Sequence, residues 1–214
     1  MSFIKKLQTL ILSFLIRNIS GDYYGAVSKY YVINNIWSNI KLDSIEGDYI
    51  EFGIFKGKSI RHSYKVAKKN NILDKRKFWG LDSFEGFPVE NHNFYTSENF
   101  AVSYKKVVKQ LKKYENIEII KGYFSEVLNS KEMLQINKVA FAFVDCDIYE
   151  STIDIFSFIK KRITNGGFIM IDDYTSIDNN GNTISKSFLE NFEINKNVHV
   201  FGYYSNGVIF RYIN

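Results

Sequence analysis

Cysteine, proline and histidine are scarce in this chain, and each scarcity narrows what it can be. Its 214 residues include one cysteine, Cys146, one proline, Pro88, and three histidines. A lone cysteine excludes an internal disulfide and points to a reducing, cytoplasmic compartment. No Pro/Gly/Ser linker, internal repeat or low-complexity tract appears. The expectation is therefore one main domain over residues 45–214, preceded by a helical arm over residues 1–44. No apolar stretch is long and clean enough to span a bilayer. The best candidate, SFIKKLQTLILSFLIRN (2–18), is interrupted by Lys5, Thr9 and Ser13, and no small-residue cleavage site follows it as a secretory leader would require.

What is present suits a folded domain with a sizeable core: 45% of residues are apolar and 17% aromatic. The net charge of +5 permits an anionic partner, but the lysines are scattered or lie on helix faces. The densest run, Tyr104 to Lys113, reads as a solvated helix face, so nucleic acid is not the expected partner. In the N-terminal arm Phe3, Leu7, Leu10 and Phe14 recur at three- and four-residue steps, an amphipathic helix. It is expected to pack against another helix, within the subunit or in a homo-oligomer. Peripheral contact with a membrane surface is the alternative. A second helical pattern runs from about Val27 to Ile40.

The stretch from Lys138 to Tyr174 organises the rest. Val139 to Val144 is apolar on both faces, as a strand covered on each side must be, and Asp145 ends it. A helical stripe from Tyr149 to Ile163 follows, stopped by Asn165-Gly166-Gly167. A second buried strand, Phe168 to Ile171, ends in Asp172-Asp173. Strand, crossover helix and strand form a βαβ unit, which brings Asp145 and Asp172-Asp173 together at one sheet edge. Neighbouring carboxylates repel unless something positive sits among them.

Upstream, a strand from Asp48 to Gly53 leads through Ile54-Phe-Lys-Gly57-Lys-Ser59 into a helix, a glycine turn of the kind that admits a ligand. The strand Lys77 to Leu81 ends in Asp82, where an acid commonly takes the ribose hydroxyls of an adenosine-containing ligand. A helix from about Phe100 to Tyr114 and a strand from Ile117 to Ile120 come next. Residues 175–183 suit a mobile flap. Asn206-Gly207 between two strand patterns marks a closing antiparallel hairpin.

GDYIEFGIFKGKS, FWGLDSFEGFP, KGYF, FVDCDIYEST and GGFIMIDDY, in that order between Asp48 and Tyr174, together resemble the macrocin O-methyltransferase (TylF) family of sugar hydroxyl methylases. The resemblance implies an α/β, Rossmann-like S-adenosylmethionine-dependent methyltransferase fold, a mostly parallel seven-stranded sheet with a C-terminal antiparallel hairpin, and a catalytic domain over residues 45–214. It also implies roles. Glu51, Gly53, Gly57 and Ser59 would border the methionine part of the donor. Asp82 would take the ribose hydroxyls, with Ser83 and Phe84 beside the adenosine, and Gly122, Tyr123 and Phe124 would flank the adenine. Asp145, Asp172 and Asp173 match the family's magnesium ligands, Asp145 at the donor as well, and His92 lies where relatives have a histidine that could act as base. The segment after Asp-Asp-Tyr departs from the family pattern, which leaves the acceptor open.

Such residues suit methyl transfer from a sulfonium to a hydroxyl. A magnesium ion held by three carboxylates keeps positions for two vicinal hydroxyls, lowering their pKa and fixing the attacking oxygen. The expected acceptor is a sugar of a polysaccharide, nucleotide sugar or glycosylated natural product. Alternatives are a catechol-like vicinal diol, a nicotinamide-dependent oxidoreductase, disfavoured because the turn is not Gly-x-Gly-x-x-Gly, and a non-catalytic binding module. Asp147 could replace Asp145 as a ligand or N-cap the next helix. Cys146 reads as a packed residue, since no histidine pairs with it in sequence.

Overall fold

The computed structural model describes residues 3–88 and 95–214. Five strands run parallel: β1 (Asp48–Phe52), β2 (Phe78–Asp82), β3 (Ile117–Lys121), β4 (Val139–Val144) and β5 (Ile163–Ile171). A closing hairpin, β6 (Val198–Tyr204) and β7 (Gly207–Tyr212), joins antiparallel to β5 through β7. The seven strands lie in the order β3-β2-β1-β4-β5-β7-β6. This is the α/β architecture expected, with the hairpin folded back so that β7 separates β6 from the parallel strands.

Helices cover both faces because the central strands are apolar on both. On one side α2 (Gly21–Leu42), α3 (Lys58–Lys69) and α5 (Tyr104–Leu111) pack over Tyr49, Phe78, Phe141, Phe143 and Phe168. On the other α6 (Phe124–Val127), α7 (Lys131–Leu134), α8 (Tyr149–Lys160) and α9 (Ile184–Leu189) cover Ile50, Phe52, Ala142, Val144 and Ile171. Residues 49 and 50, or 141 and 142, fall in opposite cores, the two-residue period of a strand. Trp37 of α2 is fully buried and stacks on Phe78 with ring centroids 5.5 Å apart. Together with Ile33, Ile36 and Ile40 it fixes the rotation of α2 about its axis. By contrast α1 (Phe3–Asn18) has no buried residue, and no helix among the described residues is long and apolar enough to cross a membrane.

Several boundaries differ from expectation for identifiable reasons. The helix expected over 100–114 is two pieces, α4 (Ser97–Phe100) and α5, joined through an extended Ala101. Phe100 packs on Phe55 and Phe87 while Tyr104 packs on Phe84, so two aromatic anchors divide the segment. Asn165-Gly166-Gly167 does not stop a helix: α8 ends at Lys160, and these residues form an irregularity inside β5, where the pairing with β4 jumps from Val139–Ile163 to Phe141–Phe168. The hairpin turns on Ser205-Asn206, one residue before the Asn-Gly pair expected, because Gly207 already pairs with Tyr204. A side chain at 207 would lie 2.2 Å from the Tyr204 ring, so glycine there serves close packing. Residues 175–183, expected as a flap, are closed by an Ile177–Thr183 bridge and by Asp178, which accepts the Asn180 and Asn182 N–H groups at 2.8 Å.

Candidate active site

The site begins where β1 and β4 end side by side. Gly53 follows β1 with φ 89°, and a Cβ there would sit 1.9 Å from the Asp145 carbonyl oxygen. Only glycine lets the two strand ends approach so closely. The loop it opens is held by Asp82 at the end of β2. One Asp82 carboxylate oxygen accepts the Phe55 N–H at 2.7 Å and the other the Phe84 N–H at 2.6 Å. Burial raises the Asp82 carboxyl above its ordinary pKa, and these N–H groups oppose the shift. Beneath the loop Glu51 is wholly buried, accepting from the Tyr49 hydroxyl at 2.5 Å and from the Ser59 hydroxyl. Burial pushes Glu51 up to about 7, against the pull of those two donors.

A cavity runs along this edge. Gly53, Asp82, Ser83, Gly122, Tyr123, Phe124 and Asp145 line it, and Phe55, Phe87, Pro88 and Phe100 give it apolar walls that sequence did not single out. Its walls are thus glycines, the half-buried Asp82 and aromatic rings, groups that would suit a nucleoside. Phe84 does not line this cavity: its ring is buried against Tyr104, and its backbone N–H is what serves the site. Gly57 lies under Leu111, and neither Gly57, Glu51 nor its partner Ser59 lines this cavity.

A second cavity of about 630 Å³ lies on the other side of Gly53, Phe55 and Asp145, which border both. That is within the usual range for small-molecule sites. Ser59, Lys56, Lys58, Asp172, Asp173 and Tyr204 are among its lining residues, and so is Lys29 of α2. Lys29 is the residue that sequence reading missed. Its Nζ lies 3.0 Å from Asp145 Oδ2, forms a second ion pair with Asp172 Oδ2, and stands 5.5 Å from the centre of the Phe143 ring. Burial alone would lower its pKa, but the two carboxylates more than reverse that and hold it well above the ordinary lysine value. Burial raises Asp145 well above the usual carboxylate range; Lys29 opposes this and Asp172 adds to it. A signal existed: Lys29 shares the stripe of Ile33, Ile36 and Ile40, and a cation on the apolar face of a helix needs a partner.

Asp145 and Asp172 are neighbours as the βαβ unit requires, the Asp172 N–H donating to the Val144 carbonyl at 2.9 Å. Asp173 turns elsewhere. With φ 47°, it accepts from the Tyr95 hydroxyl at 3.0 Å and from the Asn206 amide at 3.3 Å. Asp147 does not cap α8, whose N-cap is Ile148; it is half-buried, and burial, Asp145 and Asp173 raise its carboxyl. The donors have the hard-oxygen chemistry magnesium needs, but the side chains as they stand do not fit the ion. Asp145 and Asp172 close on Lys29, Asp173 faces away to Tyr95 and Asn206, and no convergent group of three ligands occurs among the described residues. The positive charge expected between the carboxylates is present as an ammonium. His92, the candidate base, lies outside the described residues. Cys146 is buried and free, its thiol raised by burial.

The chain is 25% identical over 146 residues to demethyldecarbamoylnovobiocin O-methyltransferase of Streptomyces niveus. It is 27% identical over 146 residues to 8-demethyl-8-(2,3-dimethoxy-alpha-L-rhamnosyl)-tetracenomycin-C 4'-O-methyltransferase of Streptomyces olivaceus. Each match covers 62% of this chain and 54% of the relative, so the chain spans about half the length of these two proteins. Among solved structures the O-methyltransferase NovP superimposes with a TM-score of 0.73 at 19% identity, covering 88% of this chain and 81% of that one, which shows a shared fold. A family model, macrocin-O-methyltransferase (TylF), matches residues 28–211, and with most of its length so matched the chain belongs to that family.

Proposed function

We propose that the protein is an S-adenosylmethionine-dependent O-methyltransferase acting on a sugar hydroxyl. The observation that carries this is the junction of two chambers at Gly53, Phe55 and Asp145, one walled by glycines, aromatic rings and Asp82 and the other lined by charged and hydroxyl groups. The family supports methyl transfer, and a rhamnosyl group in the name of one relative supports a sugar acceptor.

Bound at this edge, S-adenosylmethionine would supply a methyl group on a positively charged sulfur. Asp82 would accept its ribose hydroxyls, and Glu51 with Ser59 would lie towards its methionine end. Asp145, the only carboxylate bordering both chambers among their described lining residues, would receive the proton of the acceptor hydroxyl. With the donor bound, the O–C bond would form as the C–S bond breaks, leaving a neutral thioether, while this chain's part would be to orient the hydroxyl and take its proton. As a carboxylate paired with Lys29, Asp145 would accept that proton as a general base. Lys29 holds the negative charge of the Asp145–Asp172 pair through the step and keeps both side chains oriented. Magnesium, which the family resemblance suggests, would have to displace Lys29 and turn Asp173 inward, and no step here depends on it.

The test is transfer of a labelled methyl group from S-adenosylmethionine to a panel of sugars, glycosides and catechols. Methylated sugar is the expected product. Labelled catechol alone would move the acceptor to a phenol, and failure to bind the donor at all would refute the enzymatic assignment.

A further inference from the structure

We infer that the acceptor carries a phosphate or diphosphate, and that this anion docks in a basic basin beside the acceptor chamber. The inference rests on the assignment of that chamber above and adds the chemical class of what enters it.

The basin is formed where the start of α3 meets the start of α5. Lys56, Lys58, Arg61 and Lys106 line it together with Ser103 and Gln110, and no carboxylate among the described residues does. Lys56 and Lys58 also line the acceptor chamber, so the two spaces share a wall. The four cations stand apart from the ion pairs of the described residues, in which Lys29, Lys121, Lys138, Lys196 and Arg211 find acidic partners. Arg61 spends only Nε on the Gly57 carbonyl, at 2.9 Å, and Lys56 rests its ammonium 4.5 Å from the centre of the Phe55 ring.

Backbone electrostatics point the same way. Neither α3 nor α5 has an acidic residue in its first turn, and neither N-cap residue, Gly57 or Ser103, makes a side-chain capping bond. Both helices therefore bring the positive ends of their dipoles to the rim of the basin. Four like charges gathered at one rim repel one another and disfavour the folded state. A group bearing two or three negative charges would relieve that repulsion, whereas a neutral sugar engages none of it. A sugar joined to a diphosphate places its hydroxyls in the chamber and its charge across the shared wall. The diphosphate could belong to a nucleotide sugar or to a polyprenyl-linked glycan, and both present the same anion.

The experiment is calorimetry with inorganic pyrophosphate at about 0.15 M salt, where surface attraction is largely screened. Saturable binding is expected in the wild-type protein. It should weaken at least about tenfold in Lys106→Glu, the loss of one charge-assisted contact, while S-adenosylmethionine affinity stays unchanged. Lys106 is exposed on α5, and Lys106→Gln with an unaltered melting temperature guards against misfolding. Absent pyrophosphate binding, or binding indifferent to both substitutions, overturns the inference. Failure of the wild-type protein to bind S-adenosylmethionine would instead strike the methyltransferase assignment, so the two failures are separable. Turnover of a nucleoside-diphosphate sugar and of a polyprenyl-diphosphate sugar in phosphatidylcholine vesicles, each against the simple methyl glycoside, identifies the source. Equal KM for all three would also overturn it.

Discussion

Glu51 makes the stability of this protein depend on pH in a direction opposite to that of most carboxylates. It has no exposed surface, and burial pushes its carboxyl from 4.5 up to about 7 despite the hydrogen bonds from Ser59 and Tyr49. Between those two values the folded protein holds a proton that the unfolded chain has released. The contribution of Glu51 is therefore fully present below 4.5 and is lost as pH rises through about 7. At 1.36 kcal/mol per pH unit that interval is worth about 3 kcal/mol. In Glu51→Gln the buried group is neutral at every pH and can still hydrogen-bond to both hydroxyls. Relative to the variant, the wild type should lose about 3 kcal/mol between pH 4.5 and pH 8, or roughly 6–12 °C in melting temperature for a chain of this length. Thermal and urea unfolding of both proteins at pH 4.5, 6, 7 and 8 measures the difference. Parallel pH profiles would mean that Glu51 is ionised in the fold at an ordinary pKa, and the account of its burial would be wrong.

Three further outcomes follow from the geometry of the site. Asp82→Ala removes the acceptor of the Phe55 and Phe84 N–H groups and of the proposed ribose contacts. Donor affinity measured by calorimetry should fall about 100-fold, two charge-assisted bonds at about 1.5 kcal/mol each, and undiminished affinity would remove the ribose assignment. Lys29→Met leaves Asp145 and Asp172 facing each other without a cation; turnover should drop at least about 100-fold with donor affinity retained, while wild-type turnover should survive EDTA. Loss in EDTA with recovery on adding magnesium would show instead that a metal displaces Lys29. Asp145→Asn should cost about 10²–10⁴ in turnover, the range for a lost general base, and His92→Ala should cost only a few-fold; the reverse order would transfer the proton-accepting role to His92.

The parts of the fold that could be read from the chain are those decided by short-range pattern. Val139–Val144 and Phe168–Ile171 announce themselves as strands because a parallel strand covered on both sides must be apolar throughout, and Asp145 and Asp172 mark their ends for the same reason. Gly53 and Asp82 were legible as the residues at the ends of β1 and β2, and the closing hairpin as two strand patterns around Asn206-Gly207. Short-range pattern failed where aromatic anchors or a bulge intervened. Phe100 and Tyr104 split one expected helix, and residues 164–167 went into β5 instead of ending α8.

What charge stands between the carboxylates was settled only by tertiary structure. Lys29 is 116 residues from Asp145, and its approach depends on how Trp37, Ile33 and Ile36 seat α2 against the sheet. The same holds for the basin, where residues 56–61 and 102–110 share one lining only because α3 and α5 pack side by side. Periodicity along a chain determines which residues finish a strand or face a core, because it depends on near neighbours. Which cation answers an acid, or which acids leave a cation unanswered, depends on packing between distant segments.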